Sequence, residues 1–161
     1  MKTLVAIGVI AAISSGCMAS KHETAVPATG TRQPQISEPV SILAGTSWRL
    51  VHFQSSDDAI GTIVPPNVQN YTLQFMNDGT LAMRLDCNRA SSKWQARPSS
   101  AGGGSLSISP GTMTRAMCGP GAIDVRLAQD VARVRSYTLR DGRLSLALEA
   151  DAGIYLWEPL P

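Results

Sequence analysis

The chain has 161 residues and a formal net charge of +2, with hydrophobic residues at 43% of positions and charged residues at 16%. That balance is typical of a folded domain of ordinary size and excludes an intrinsically disordered chain. Lysine and arginine form no block along the sequence, which argues against nucleic acid as a partner.

The N-terminus predicts export from the cytoplasm. Lys2 precedes an apolar run at residues 4–13, and the small residues 14–16 follow it. A charged start, a short apolar core and a small-residue region together indicate a signal peptide over residues 1–16. The run has about half of the roughly 20 residues that a membrane-spanning helix needs, so we expect no retained transmembrane helix.

The residues before Cys17 resemble a bacterial lipobox. The aliphatic residue, Ile13, stands one position further from the cysteine than usual, and Ser14 takes its place. We expect lipidation of Cys17, by palmitate-type acyl chains that anchor the protein to a membrane. A conventional signal peptide, cut near this position, is the alternative. Met18 stands where Asp typically marks inner-membrane retention, so the resemblance implies an outer-membrane lipoprotein that faces the periplasm.

Residues 17–40 predict a flexible linker. They are mostly small or polar, include Pro27, Pro34 and Pro39, and contain almost no large apolar side chain. Such a segment cannot bury enough surface to offset the entropy lost on ordering. The folded domain is therefore expected over residues 41–161.

Short alternating segments separated by turns predict a β-rich domain. In β-strand 46–53, we expect Trp48 and Leu50 on one face and Val51 and Phe53 on the other. The sequences Asn77-Asp78-Gly79 and Asp141-Gly142 are strong hairpin turns, and residues 101–104 are expected to form a flexible turn. The predicted strands span residues 46–53, 71–75, 80–85, 92–95, 105–108, 136–139, 143–149 and 153–157.

One amphipathic helix is predicted over residues 122–134. Ile123, Leu127, Val131 and Val134 recur at helical spacing, with polar residues between them. Seven or eight strands with short connections favour antiparallel order. The fold class is therefore predicted as α+β, mostly β, with a barrel-like antiparallel sheet and one helix packed on it.

Four motifs along the domain resemble the META domain family, which includes HslJ-like heat-shock lipoproteins. They are Gly45-Thr46-Ser47-Trp48-Arg49-Leu50, Asp86-Cys87-Asn88-Arg89, Thr114-Arg115-Ala116-Met117-Cys118 and Asp141-Gly142-Arg143-Leu144-Ser145-Leu146. The likeness covers about residues 43–158. It implies a β-rich domain without established catalytic activity, in proteins linked to envelope stress and antibiotic tolerance. Many members have glycine where this chain has Asp86, and a Gly-x-Tyr motif where this chain has Ser92-Lys93-Trp94, so that Trp94 replaces the aromatic residue.

The residues of the domain predict neither an enzyme nor a cofactor or metal site. His22 lies in the linker, and His52 is expected as a half-exposed strand residue and not as a base or ligand. Asp57 and Asp58 are expected as solvated turn residues. The glycines at 102–104 do not join a strand to a helix as a phosphate-binding loop does.

Cys87 and Cys118 are expected to form a disulfide, because two cysteines in an exported domain more often pair than remain free. The alternative is a nucleophilic cysteine acting with His52. Polar residues flank both cysteines and form either a binding patch for an acidic group or a scaffold that joins two loops. They are Asp86, Asn88, Arg89, Thr114 and Arg115. In the scaffold, Asn88 caps its own backbone after the strand, and an Asp–Arg pair across the disulfide holds the two loops together.

These predictions favour a non-enzymatic envelope lipoprotein that supports stress tolerance by binding an envelope protein or a small ligand. The first alternative is a periplasmic carrier that holds a small apolar ligand inside the barrel. The second is a secreted hydrolase, for which the sequence offers no nucleophile and base.

Overall fold

A computed structural model describes residues 41–161. The predicted signal peptide, Cys17 and the predicted linker lie outside the described residues. The strands are β1 (Thr46–Ser55), β2 (Thr62–Ile63), β3 (Tyr71–Phe75), β4 (Thr80–Leu85), β5 (Asn88–Ser100), β6 (Gly103–Ile108), β7 (Thr112–Met113), β8 (Val134–Arg140), β9 (Arg143–Leu148) and β10 (Gly153–Pro159). One α-helix, α1 (Asp124–Val131), and two 3₁₀ turns, Val68–Asn70 and Glu149–Asp151, complete the secondary structure of residues 41–161.

Eight of the strands form a closed antiparallel barrel, in the order β1-β3-β4-β5-β6-β8-β9-β10. Pairing of β10 with β1 closes the ring, which removes the exposed edges that an open sheet would have. The short strands β2 and β7 lie outside the ring, on β1 and β5 respectively. The predicted fold class is confirmed.

The barrel interior is filled by the side chains of the protein itself, as in other small barrels. Alternate residues of the eight strands point inward and form one apolar cluster with Leu43 and with Leu127 and Val131 of α1. The largest fully buried side chains are Trp157, Tyr71, Tyr137, Tyr155, Phe53 and Phe75.

β1 contains a bulge that interrupts its predicted alternation, so the predicted orientation of Phe53 is wrong. Register shifts between Leu50 and His52, so one extra residue, Val51, interrupts the pairing with β10. Because of it, Trp48, Leu50 and Phe53 all point into the core, although the uninterrupted pattern puts Phe53 on the opposite face.

The helix packs across one end of the barrel, where three polar side chains hold it. The Tyr71 hydroxyl accepts a hydrogen bond from the Ile123 N–H (3.0 Å), just before α1 begins. Asn88 donates to Asp124 (2.9 Å), and the Tyr155 hydroxyl donates to Asp130 (2.7 Å). The helix is shorter than the predicted 122–134, and within the described residues no helix is long and apolar enough to cross a membrane.

Candidate functional site

The predicted disulfide between Cys87 and Cys118 is present, with 5.6 Å between the two Cα atoms. It joins the β4–β5 turn to the segment that precedes α1. Asp86, the first residue of this turn, has φ of 57°, a left-handed conformation that asparagine and aspartate tolerate better than most residues. Its carboxylate accepts a hydrogen bond from the Asn70 side chain (3.0 Å).

Asn88 lies behind the disulfide and has no solvent-exposed surface. Its side-chain nitrogen donates to Asp124 Oδ2 (2.9 Å) and to the Ala116 carbonyl (3.0 Å). Its side-chain oxygen accepts from the Ala116 N–H and from the Thr114 hydroxyl, both at 2.8 Å. Both donors and both acceptor positions of the amide are thus used, as a buried polar group requires.

In this network Asn88 and Thr114 have a structural role. Asn88 connects β5, the segment 114–116 and the first residue of α1. The predicted local cap, in which Asn88 bonds its own neighbouring backbone, is not what the structure shows. The turn conformation belongs instead to Asp86, two residues earlier.

Two arginines lie next to the network on the outer face of the barrel. Arg84 of β4 and Arg89 of β5 are directly opposite each other in the antiparallel pairing. Each donates one hydrogen bond to a backbone carbonyl, Arg84 to Asp86 and Arg89 to Asn88, both at 3.3 Å. Like charges directly opposite each other are unfavourable, and among residues 41–161 neither arginine forms an ion pair.

Arg115 is the third arginine near the disulfide. It is exposed, and in the described part of the chain it forms no ion pair. Ion pairs form elsewhere, at Arg49, Arg126, Arg133 and Arg135. The structure therefore brings together the residues predicted around the two cysteines, but Asp86 does not neutralise Arg89 or Arg115 by an ion pair across the disulfide.

A cleft of about 530 Å³ opens beside the same network, between α1 and the segment 111–117. Asn88 and Asp124 contribute to its lining, and Arg115 contributes the positive charge. Its remaining lining is mostly apolar or small: Gly111, Met113, Ala116, Met117, Val125, Ala128 and Gln129. The sequence does not predict this cleft. One wall is α1, which is a predicted helix, but the other wall, residues 111–117, has no predicted strand or helix.

Asp130 forms a second buried polar cluster, on the other side of α1. It is 6% exposed and contacts Arg133 at 3.2 Å and Arg126 at 3.5 Å, in addition to Tyr155. Burial, reinforced by the Asp130 carboxylate, raises the pKa of the Tyr155 hydroxyl. Tyr155 attaches the helix to the barrel, and the two arginines lie one turn before and one turn after Asp130. The cluster is therefore structural.

The remaining sequence candidates lie apart from the cleft. His52 is a half-exposed residue of β1, and Asp57 and Asp58 are exposed turn residues, as expected. The predicted turn at 101–104 is shorter, because Gly103 and Gly104 belong to β6. Asp86 lies close enough to both sulfur atoms for a metal site, but the cysteines are bonded to each other and offer no thiolate to a metal or to His52.

The geometry defines a small closed β-barrel with a helix across one end and a disulfide-bonded segment beside that helix. The chain belongs to the META domain family, whose profile matches residues 41–158. No curated protein matches the chain.

Two solved structures have a similar fold. A protein from Burkholderia xenovorans, solved by NMR, is 17% identical, with a TM-score of 0.60 over 84% of this chain and 99% of that one. A DUF4847 family protein from Bacteroides vulgatus, solved by crystallography, is 15% identical, with a TM-score of 0.52 over 73% of this chain and 94% of that one. At these identities the likeness supports the fold alone.

Proposed function

We propose that this META domain is a non-enzymatic binding module of the bacterial envelope, anchored by a lipid on Cys17. In this proposal the protein belongs to the outer membrane and faces the periplasm. It supports stress tolerance by binding an acidic group of an envelope protein or of a ligand. The signal-peptide and lipobox patterns of the sequence support the location.

The arginines beside the disulfide carry the binding part of the proposal. Arg84, Arg89 and Arg115 lack ion-pair partners among residues 41–161, and the backbone beneath them is held by the disulfide and by Asn88. Guanidinium groups on a rigid support lose little freedom when they bind a carboxylate or a phosphate in bidentate geometry. The patch is therefore suited to recognise an anionic group.

The apolar-carrier alternative receives less support. A ligand inside the barrel would have to displace side chains that already fill it, such as Tyr137 and Trp157. The cleft beside α1 has none of the fully buried apolar side chains of the barrel in its lining.

The experiment is complementation of a deletion strain under envelope stress. The double variant Arg89→Gln/Arg115→Gln should reach wild-type abundance and keep its melting temperature, yet fail to restore tolerance. Arg97→Gln is the matched control, because Arg97 is also exposed and without an ion pair in the described chain but lies away from the disulfide. Full complementation by the double variant would contradict the proposal.

The same strains test the anchor. Cys17→Ser should move the protein from the membrane fraction to the soluble fraction and abolish labelling by a fatty-acid analogue. Unchanged membrane partition of this variant would show that another feature holds the protein at the membrane.

A further inference from the structure

The cleft beside α1 has one wall that is an extended chain. Over residues 111–115 the lining alternates, because Gly111, Met113 and Arg115 line the cleft and Thr112 and Thr114 do not. The next two residues, 116 and 117, both line it. The opposite wall is formed by Val125, Ala128 and Gln129 of the helix. The cleft is thus a groove between a strand and a helix.

The backbone of this wall has a free edge. Thr112 is opposite Ser91 of β5, and the Thr114 N–H donates to the Arg89 carbonyl at 2.9 Å. Successive residues of a strand direct their N–H and C=O groups to opposite edges. Because Thr112 and Thr114 face β5, the N–H and C=O of Met113 face away from it, as on an edge strand that can accept another strand.

Apolar side chains surround this edge. Met117 is 99% exposed and Val125 is 56% exposed, although both are large and apolar. Methionine adapts its shape to different partners, and exposed apolar side chains grouped at a cleft mark an interaction surface. Arg115, which forms no ion pair within residues 41–161, adds a positive charge to the same wall.

We propose that this groove binds an extended peptide segment of a partner protein, which adds as a strand to the free edge of β7. An apolar side chain of the peptide packs against Met113, Met117 and Val125, and a neighbouring acidic side chain pairs with Arg115. The proposal rests on the proposed binding function and names its partner class. Strand addition takes affinity from backbone hydrogen bonds and specificity from alternate side chains, which matches the alternate lining over residues 111–115.

The test starts from a random peptide library displayed on phage. The full chain, purified as the cell exports it, is immobilised, and the library is selected against it. Enriched peptides should contain an apolar residue with an acidic residue nearby. Fluorescence anisotropy with the most enriched peptide then gives Kd for each variant. A library without any enriched sequence overturns the proposal.

Met113→Pro examines the strand edge. Of the backbone groups, proline removes only the Met113 N–H and leaves the pairing of Thr112 and Thr114 with β5, as is tolerated on edge strands. It also removes the methionine side chain, which the control variant must match. It should weaken binding about tenfold, the effect of about 1.4 kcal/mol. Met113→Ala, the matched control, loses the same side chain but keeps the N–H, so it should bind several-fold more tightly than Met113→Pro. If Met113→Pro melts at a lower temperature, N-methylation of the peptide backbone at alternate positions examines the same bonds with the protein intact.

Arg115→Gln should raise the Kd of the acidic peptide about fivefold. The variant should bind that peptide no more tightly than a peptide in which glutamine replaces the acidic residue. Arg97→Gln should leave Kd unchanged. If Kd is unchanged both by Met113→Pro and by N-methylation of the peptide, strand addition is overturned. Such a result would indicate that the groove binds an amphipathic anion by side chains alone. The outcomes separate the two proposals. Loss of complementation by Arg89→Gln/Arg115→Gln without any peptide binding would leave the proposed function standing and refute the peptide.

Discussion

Asn88 is the residue on which the architecture of the site depends. Its amide bonds groups 26 to 36 positions further along the chain, at Thr114, Ala116 and Asp124. Replacing it leaves the buried Asp124 carboxylate, and the carbonyl and N–H of Ala116, without this partner. Lost hydrogen bonds to buried groups cost much more than lost bonds at the surface.

We therefore predict that Asn88→Ala lowers the free energy of unfolding by about 3 kcal/mol. Urea denaturation followed by circular dichroism measures this value. Arg89→Ala is the control, because the neighbouring side chain is exposed and should change stability by less than about 0.5 kcal/mol. Equal effects of the two substitutions would show that the network does not hold the site together.

The sequence predicts the members of this site but not their roles. Pairing of the two cysteines is enough to bring Asp86, Arg89 and Arg115 near each other. The burial of Asn88 follows from the position of α1, which depends on packing against the closed barrel. The helical periodicity predicts that α1 packs on the sheet but not where on the sheet it lies, so a local cap and an internal clamp are equally compatible with Asn88 in the sequence.

At the scale of strands and helices, prediction succeeds where turn chemistry and periodicity agree. The bounds of β3 and β4 match those predicted, because Asn77-Asp78-Gly79 is a strong hairpin turn and both strands alternate. β5 extends from Asn88 to Ser100, well beyond the predicted residues 92–95, because its small and polar residues give little alternation. A two-residue strand such as β7 is too short for a period, so pairing alone defines it.

The disulfide joins the β4–β5 turn to the segment that precedes α1, and its loss should be measurable. The two cysteines are 31 positions apart, and closing a loop of that size contributes about 3 to 4 kcal/mol in the chain-entropy model. Reduction by dithiothreitol should therefore lower the melting temperature on the order of 10 °C. The double variant Cys87→Ser/Cys118→Ser should melt at the lower temperature with or without reductant. Two thiols that titrate in the folded, exported protein would contradict the pairing.

For the molecule as a whole, two tyrosine hydroxyls attach the helix to the barrel. Tyr71 accepts a hydrogen bond at the start of α1, and Tyr155 donates one to Asp130 within it. Burial raises the pKa of both hydroxyls above the ordinary value of 10.0, and the hydrogen bond to Asp130 contributes further at Tyr155. Neither tyrosine can ionise in place without leaving a negative charge in the core beside a carboxylate.

The alkaline limit of stability should therefore depend on these two side chains. In the unfolded chain each tyrosine loses its proton near pH 10.0, whereas in the folded domain it keeps the proton to higher pH. The folded state then binds more protons than the unfolded state above about pH 10. The contribution of each tyrosine to the free energy of unfolding is fully present below about pH 10 and falls as pH rises above it. The fall is up to about 1.4 kcal/mol per pH unit for each group. Urea unfolding from about pH 8 to about pH 11.5 measures this slope. Tyr155→Phe should be less stable at neutral pH because Asp130 loses a donor, yet its stability should decrease less steeply above pH 10. Ultraviolet absorbance provides the check, since tyrosinate formed in the folded wild-type protein at Tyr71 and Tyr155 near pH 10 would contradict the raised pKa values.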